Sequence, residues 1–290
     1  MNPFCLTLIL LASICLACNG DSRLCDRRYS SLVQIGTHNS AFIGITPINN
    51  QYISVTDQLD MGVRFLQVQT RSLRGGIGLC HTSCWTLNAG SLDDFLAEVA
   101  AWVNGHEEDV VTLLVTNSDG IPVEQFGLAF QDAGLGALVF RPKSFVELDE
   151  WPTLREFLNN GVKLIVFMGN YTDTEIVEYI LPEFEYQWQN PFDETDSSFS
   201  NCSIDRPKHL RNSNPDGYMY MINHYLDFEL PFGIKAPDQL HAGQTNSLES
   251  ITRQADLCKE RWGTAPNVIL LDWVNVGQAI EAQQLLNGLA

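Results

Sequence analysis

Three residues could do acid-base chemistry at the ends of apolar runs. His38 closes the run in "IGTHNSAF" (35 to 42), His81 closes "GIGLCH" (76 to 81), and Asp272 lies within "NVILLDWV" (267 to 274). Two imidazoles on opposite sides of a cavity can act as general base and general acid on a phosphodiester. One removes a proton from the attacking hydroxyl and the other protonates the leaving oxygen. A carboxylate beside one of them orients the ring and stabilises its protonated form. A single strand-end histidine is more often a hydrogen-bonded structural residue; two, with an acid placed for one of them, favour catalysis.

Positioning them requires strands. Apolar runs at 31 to 38, 63 to 70, 76 to 81, 109 to 117, 162 to 168, near 184 to 188, 218 to 223 and 267 to 274 read as strands. Helical patterns lie between most of them. In "SLDDFLAEVAAWVNG", Ser91 caps, Asp93 and Asp94 suit the first turn and Gly105 stops the helix; "PTLREFLNNG" and "SLESITRQADLCKERWG" repeat the pattern. Strands apolar on both faces, alternating with helices, predict an α/β fold: a distorted (β/α)8 TIM-type barrel in a single domain over 18 to 290. The distortion is expected between 70 and 76, where no helix fits. In such barrels the site lies at the C-terminal strand ends. The candidates there are His38 and Asn39, Gln67 and Gln69, His81, Asn117, Asn223 and His224, and Asp272. Barrel closure sets the last strand beside the first, bringing Asp272 to His38.

The 290 residues, 45% of them hydrophobic, suffice for a large core, and 17 Lys and Arg against 35 Asp and Glu give a net charge of -18. That balance opposes nonspecific binding to nucleic acid or anionic membrane, although a local basic pocket survives because screening acts beyond about 8 Å. The apolar segment from Phe4 to Ala17 is too short to span a bilayer and reads as a signal peptide over 1 to 17, predicting a secreted monomer without a transmembrane anchor. Cleavage after Ala17 leaves six cysteines. The favoured pairs are Cys18 with Cys25, Cys80 with Cys84 and Cys202 with Cys258; free buried thiols are the alternative, and "CHTSC" lacks a second pair at zinc spacing. Sequons at Asn170 and Asn201 suit export.

"IGTHNSAF", "DQLDMGVRFLQVQT", "LCHTSC" and "VILLDWVN" resemble the X-domain fold of phosphatidylinositol-specific phospholipases C, and more closely the secreted fungal phospholipase C-like phosphodiesterases. The resemblance runs from Cys18 through almost the whole chain. It implies that His38 is the base for the inositol 2-hydroxyl, His81 the acid for the leaving group and Asp272 the partner of His38, with a cyclic phosphate as product and a phosphodiester or lipid head group as the partner bound.

The departures bear on cofactors. Bacterial members clamp the phosphate with an arginine on the second strand, and calcium-dependent members hold the metal with an asparagine after the first histidine and with acids on the second and fourth strands. Here Asn39 is kept, but Gln67, Gln69 and Asn117 stand where charge is expected. Neutral amides are poor ligands for a hard dication, so calcium is not expected to be held and no cofactor is predicted. A cationic clamp contributes roughly 10³ to 10⁵-fold, against about 10² to 10⁴-fold for acid-base work, so its source matters. Arg71 and Arg74 beyond the second strand, and Arg206 and Lys208 in the long polar stretch 190 to 217, are the cations within reach, Arg71 being the first choice. Trp85, Trp188 and Trp273 line a pocket or pack in the core. Two other functions share this scaffold: a silent head-group-binding protein and a metal-dependent diester hydrolase.

Overall fold

The computed structural model describes residues 17–290, so the segment read as a signal peptide lies outside the described residues except for Ala17. Twelve strands follow in order: β1 (Gln34–Thr37), β2 (Phe65–Leu73), β3 (Gly76–His81), β4 (Leu87–Ser91), β5 (Val111–Asn117), β6 (Leu164–Met168), β7 (Ile180–Pro182), β8 (Gln187–Gln189), β9 (Met219–Asn223), β10 (Asp227–Leu230), β11 (Ile234–Pro237) and β12 (Val268–Leu271). Interspersed are helices α1 (Val55–Asp60), α2 (Leu92–Gly105), α3 (Val123–Asp132), α4 (Leu154–Asn159), α5 (Glu183–Tyr186), α6 (Ala242–Thr245), α7 (Leu248–Trp262) and α8 (Ala279–Leu286). Eight strands are parallel neighbours in the order β7, β6, β5, β2, β1, β12, β9, β8, which is the expected distorted barrel. β7 and β8 are the ends of that path and share no ladder, so the barrel has an open seam spanned by the single turn of α5.

Two expected strands need correction. The run 76 to 81 is not a barrel stave: β2 outgrows the barrel and turns back, pairing Thr70 with Leu79 and Leu73 with Gly76 antiparallel. The segment near 184 to 188 begins as α5 and becomes strand only at Gln187. The eighth stave is the three-residue β7, too short for an apolar period to announce it. The hairpin β10–β11 was also not anticipated.

Side chains alternate along each stave. Phe65, Leu114, Met221 and Leu270 turn inward and pack together, while Leu66, Val68, Leu113, Val115 and Ile269 turn outward against the helices. Gly36 permits that interior, because a Cβ there would stand 2.9 Å from Phe65 Cδ1 and 3.0 Å from Leu270 Cδ1. The outer helices end as their sequences require. Ser91 caps α2 by accepting from Asp94 N at 3.0 Å, Thr153 and Glu156 form a capping box on α4, and Gly263 closes α7 in the left-handed conformation at φ 80°. All three expected disulfides are formed, and Cys202–Cys258 ties the 190 to 217 loop to α7. Among the described residues no helix is long and apolar enough to cross a membrane.

Candidate active site

The inward series of several staves change from apolar at the bottom to polar at the top: Phe65, Gln67, Gln69; Leu114, Thr116; Met221, Asn223; Leu270, Asp272. Above the apolar floor lies a cavity of about 760 Å³ lined by His38, Gln67, Gln69, His81, Asn223 and Tyr225, among others.

Asp272 follows β12, and β12 pairs with β1. His38 Nδ1 and Asp272 Oδ1 are therefore 2.8 Å apart. Asn50 Nδ2 donates to both oxygens of the same carboxylate at 3.0 Å. Since an ionised carboxylate only accepts, Nδ1 of His38 carries the proton and Nε2 presents the lone pair. Asn39 Nδ2 donates to Asn50 Oδ1 at 3.1 Å and to the lone pair of His38 Nε2 at 3.0 Å, which fixes the direction of its amide. Asn39 turns the chain sharply at φ 51°, a conformation asparagine tolerates, and its backbone N donates to Gln67 Oε1 at 2.7 Å. The His38 ring stacks on Tyr225, with centroids 4.0 Å apart and planes 4° from parallel. Gln51 Nε2 pins the backbone below by donating to His38 O at 2.9 Å and Leu271 O at 3.0 Å. The imidazole is thus held in one tautomer and one plane.

His81 reaches the same cavity by another route, because β3 runs back toward the rim after the β2 turn. Burial first, and the neighbouring His38 second, push its pKa below the usual imidazole value, against the pull of Asp272. Asn117, by contrast, points away from the cavity. Its amide closes the following loop, donating to Ile121 O at 2.8 Å and accepting from Ile121 N at 2.9 Å, and its neighbour Thr116 takes the inward position. Arg71 does not line the cavity either; it donates to Asp119 Oδ1 at 2.6 Å, an ion pair invisible to local spacing. His224 is buried outside the barrel interior between Gln254 and Thr245, and Trp188 and Trp273 are core residues. Trp85 is fully exposed.

The residues do not fit a calcium ion. Gln67 Oε1 is used by Asn39 N, Asn117 Oδ1 by Ile121 N, and the buried Asn39 Oδ1, without a partner, is one neutral ligand where a hard dication wants six to eight oxygens and usually carboxylates. Among the described residues no group of three or more His, Cys, Asp or Glu is placed to hold a metal.

Several contributors carried no signal in the sequence. Asn50 lies in a loop with no motif spacing to His38. Glu183 is buried at the seam and accepts from Gln189 Nε2; burial pushes its pKa up to about 7 despite the pull of Arg206. Arg206, Lys208 and Lys235 line the wall with Asp193.

Sequence comparison finds a PI-PLC X domain-containing protein 1 from Arthroderma benhamiae that is 45% identical over 279 residues, covering 94% of this chain and 90% of the relative. A second protein of that organism, described as an uncharacterized secreted protein, is 39% identical over 268 residues, covering 90% of this chain and 60% of its own length. The phosphatidylinositol-specific phospholipase C from Listeria monocytogenes superposes with a TM-score of 0.62 over 91% of this chain and 95% of that one, at 14% identity, a likeness of fold. The family model PI-PLC X 1 matches residues 24–287, and the chain belongs to the PI-PLC X family.

Proposed function

We propose that this protein is a secreted, metal-independent phosphodiesterase of the phospholipase C type, acting as a monomer on a phosphoinositide or related lipid phosphodiester. The observation that carries this reading is that His38, held by Asp272 in the tautomer a base needs, faces the same cavity as His81. Nε2 of His38, exchanging its hydrogen bond from Asn39 Nδ2 for one from a head-group hydroxyl, takes that hydroxyl's proton as its oxygen attacks phosphorus. The bond from phosphorus to the lipid oxygen breaks, and His81, entering protonated, gives that oxygen its proton. The products are a cyclic phosphate and the lipid alcohol, with the proton shifted from His81 to His38. The three disulfides suit an oxidising compartment.

The test is hydrolysis of phosphatidylinositol and related diesters, with and without chelator, across pH. Activity should survive chelation and fall by about 10² to 10⁴-fold in His38→Ala. Because the acid must be protonated while its pKa is depressed, kcat/KM should decline with rising pH along a limb lying below the ordinary imidazole value of about 6.5. That limb should vanish in His81→Gln. A limb well above neutrality, or activity that chelator removes, would contradict the mechanism. The amides Gln67 and Gln69 favour one competing reading, a binding protein on a silent barrel. A head group that binds and is recovered uncleaved would select it.

Apolar side chains around the mouth support a lipid-borne substrate. Phe232 adjoins the cavity residue Gly233 at the tip of β10–β11 and is fully exposed, at a strained φ of 71°. Trp85, three residues after the cavity residue Thr82, is also fully exposed. A Phe232→Asp, Trp85→Ser variant should lose roughly 10-fold or more in hydrolysis of vesicle-borne substrate, from lost burial of two aromatic rings. Cleavage of a short-chain, monomeric diester should be unchanged, and an equal loss on both substrates would argue against the surface role.

A further inference from the structure

The proposed chemistry needs positive charge at the phosphoryl oxygens, and β2 supplies glutamines where the resemblance leads one to expect an arginine. In a chain of net charge -18, three cations nevertheless line the cavity: Arg206, Lys208 and Lys235. Among the described residues none of the three has a carboxylate within 4.0 Å, unlike Arg71, which Asp119 neutralises.

Arg206 is the best held of them. Its backbone is zipped to the seam strand, with Gln189 N donating to Arg206 O at 2.8 Å and Asp205 N to Gln189 O at 2.8 Å. Its side chain continues the same construction. Nη2 donates to Gln189 Oε1, and Gln189 Nε2 donates to Glu183 Oε1, so the buried carboxylate fixes which way the amide faces. The guanidinium carbon stands 4.5 Å from the Phe192 ring centroid. Nε is buried without a partner, an orphan donor that a bound anion would satisfy. Lys208 and Lys235 are exposed, and of the two Lys235 is held by one bond, Nζ donating to Asp193 O. Four residues before Arg206, Cys202 anchors the loop to Cys258.

We propose that Arg206, delivered across the seam by the disulfide-anchored loop, holds the phosphoryl oxygens of the substrate in place of a β2 arginine. The assignment rests on the phosphodiesterase reading above and deepens it. A planar guanidinium suits two phosphoryl oxygens at once, which a lysine does not match.

The decisive measurement is calorimetric binding of myo-inositol 1-phosphate and of unphosphorylated myo-inositol to wild type, Arg206→Gln, Arg206→Lys and Arg71→Gln, beside kcat on a short-chain diester. Wild type should prefer the phosphorylated ligand. The preference should collapse in Arg206→Gln, be kept in part in Arg206→Lys, and persist in Arg71→Gln. kcat should fall by roughly 10³-fold or more in Arg206→Gln. Thermal unfolding close to that of wild type would confirm that the variant is folded, and Arg206→Lys serves if it is not. A phosphate preference that survives Arg206→Gln overturns this assignment alone. A wild type that neither prefers the phosphorylated ligand nor cleaves the diester overturns the parent reading as well.

Discussion

Asp272→Asn should lower kcat by roughly 10⁴-fold with little change in the shape of the cavity, the size of effect seen when an amide replaces the orienting carboxylate of an imidazole base. Asp272 accepts from His38 Nδ1 and twice from Asn50 Nδ2. An asparagine has one acceptor and one donor group, so Asn50 claims the acceptor and the new NH₂ faces His38. The ring answers with its other tautomer: the lone pair moves to Nδ1 and Nε2 is blocked by a proton. The loss should appear in kcat and persist at saturating substrate, with unfolding temperature nearly unchanged. A loss below about 10-fold would mean that His38 does not depend on this carboxylate for its tautomer.

Stability should be higher at pH 5 than at pH 8, a consequence of two buried carboxyls. Burial pushes Glu183 up from 4.5 to about 7, and burial with the neighbouring charges of Asp272 and Asp193 pushes Asp227 up from 3.8 to about 7. Between those values the folded chain holds two protons that the unfolded chain has lost. Their contribution is complete below the unfolded values and disappears as pH rises through about 7, on the order of 3 to 4 kcal/mol for each group at ~1.4 kcal/mol per unit. His224 and His81 act in the opposite sense: burial lowers His224 from 6.5 to about 4 and holds His81 below its ordinary value, so their contributions are present above the unfolded value and are lost as pH falls through the folded ones. Together they offset part of what the two carboxyls contribute, leaving a net decline as pH rises. Denaturant unfolding at the two pH values should give this slope in wild type and a reversed or flat one in Glu183→Gln, Asp227→Asn. An unchanged slope in the double variant would place the titrating groups elsewhere.

Much of the scaffold was legible because buried parallel strands leave long apolar runs, and the runs at 109 to 117 and 162 to 168 are now β5 and β6. The pairing of His38 with Asp272 was legible because closure forces β12 beside β1. Strand direction was not: the run ending in His81 has the same composition whether it continues the barrel or folds back on β2. A single turn such as α5 is shorter than any helical period, so "FEYQW" (184 to 188) looked like strand throughout. Arg71 was misjudged because Asp119 lies 48 residues away in sequence, and Asn117 because the phase of alternation near the end of β5 decides which neighbour faces inward.

The open seam gives the molecule a mechanical property. In a closed barrel the girth is fixed by a continuous ladder, and widening it breaks backbone bonds worth about 1 kcal/mol each. Here the ring is split between β7 and β8, with Glu183 on one lip, Gln189 on the other and Arg206 strapped across. Across that gap the bore is set by the turn of α5 and a few side chains rather than by strand register. Exchanging lip residues would widen or narrow it while the eight staves stay as they are.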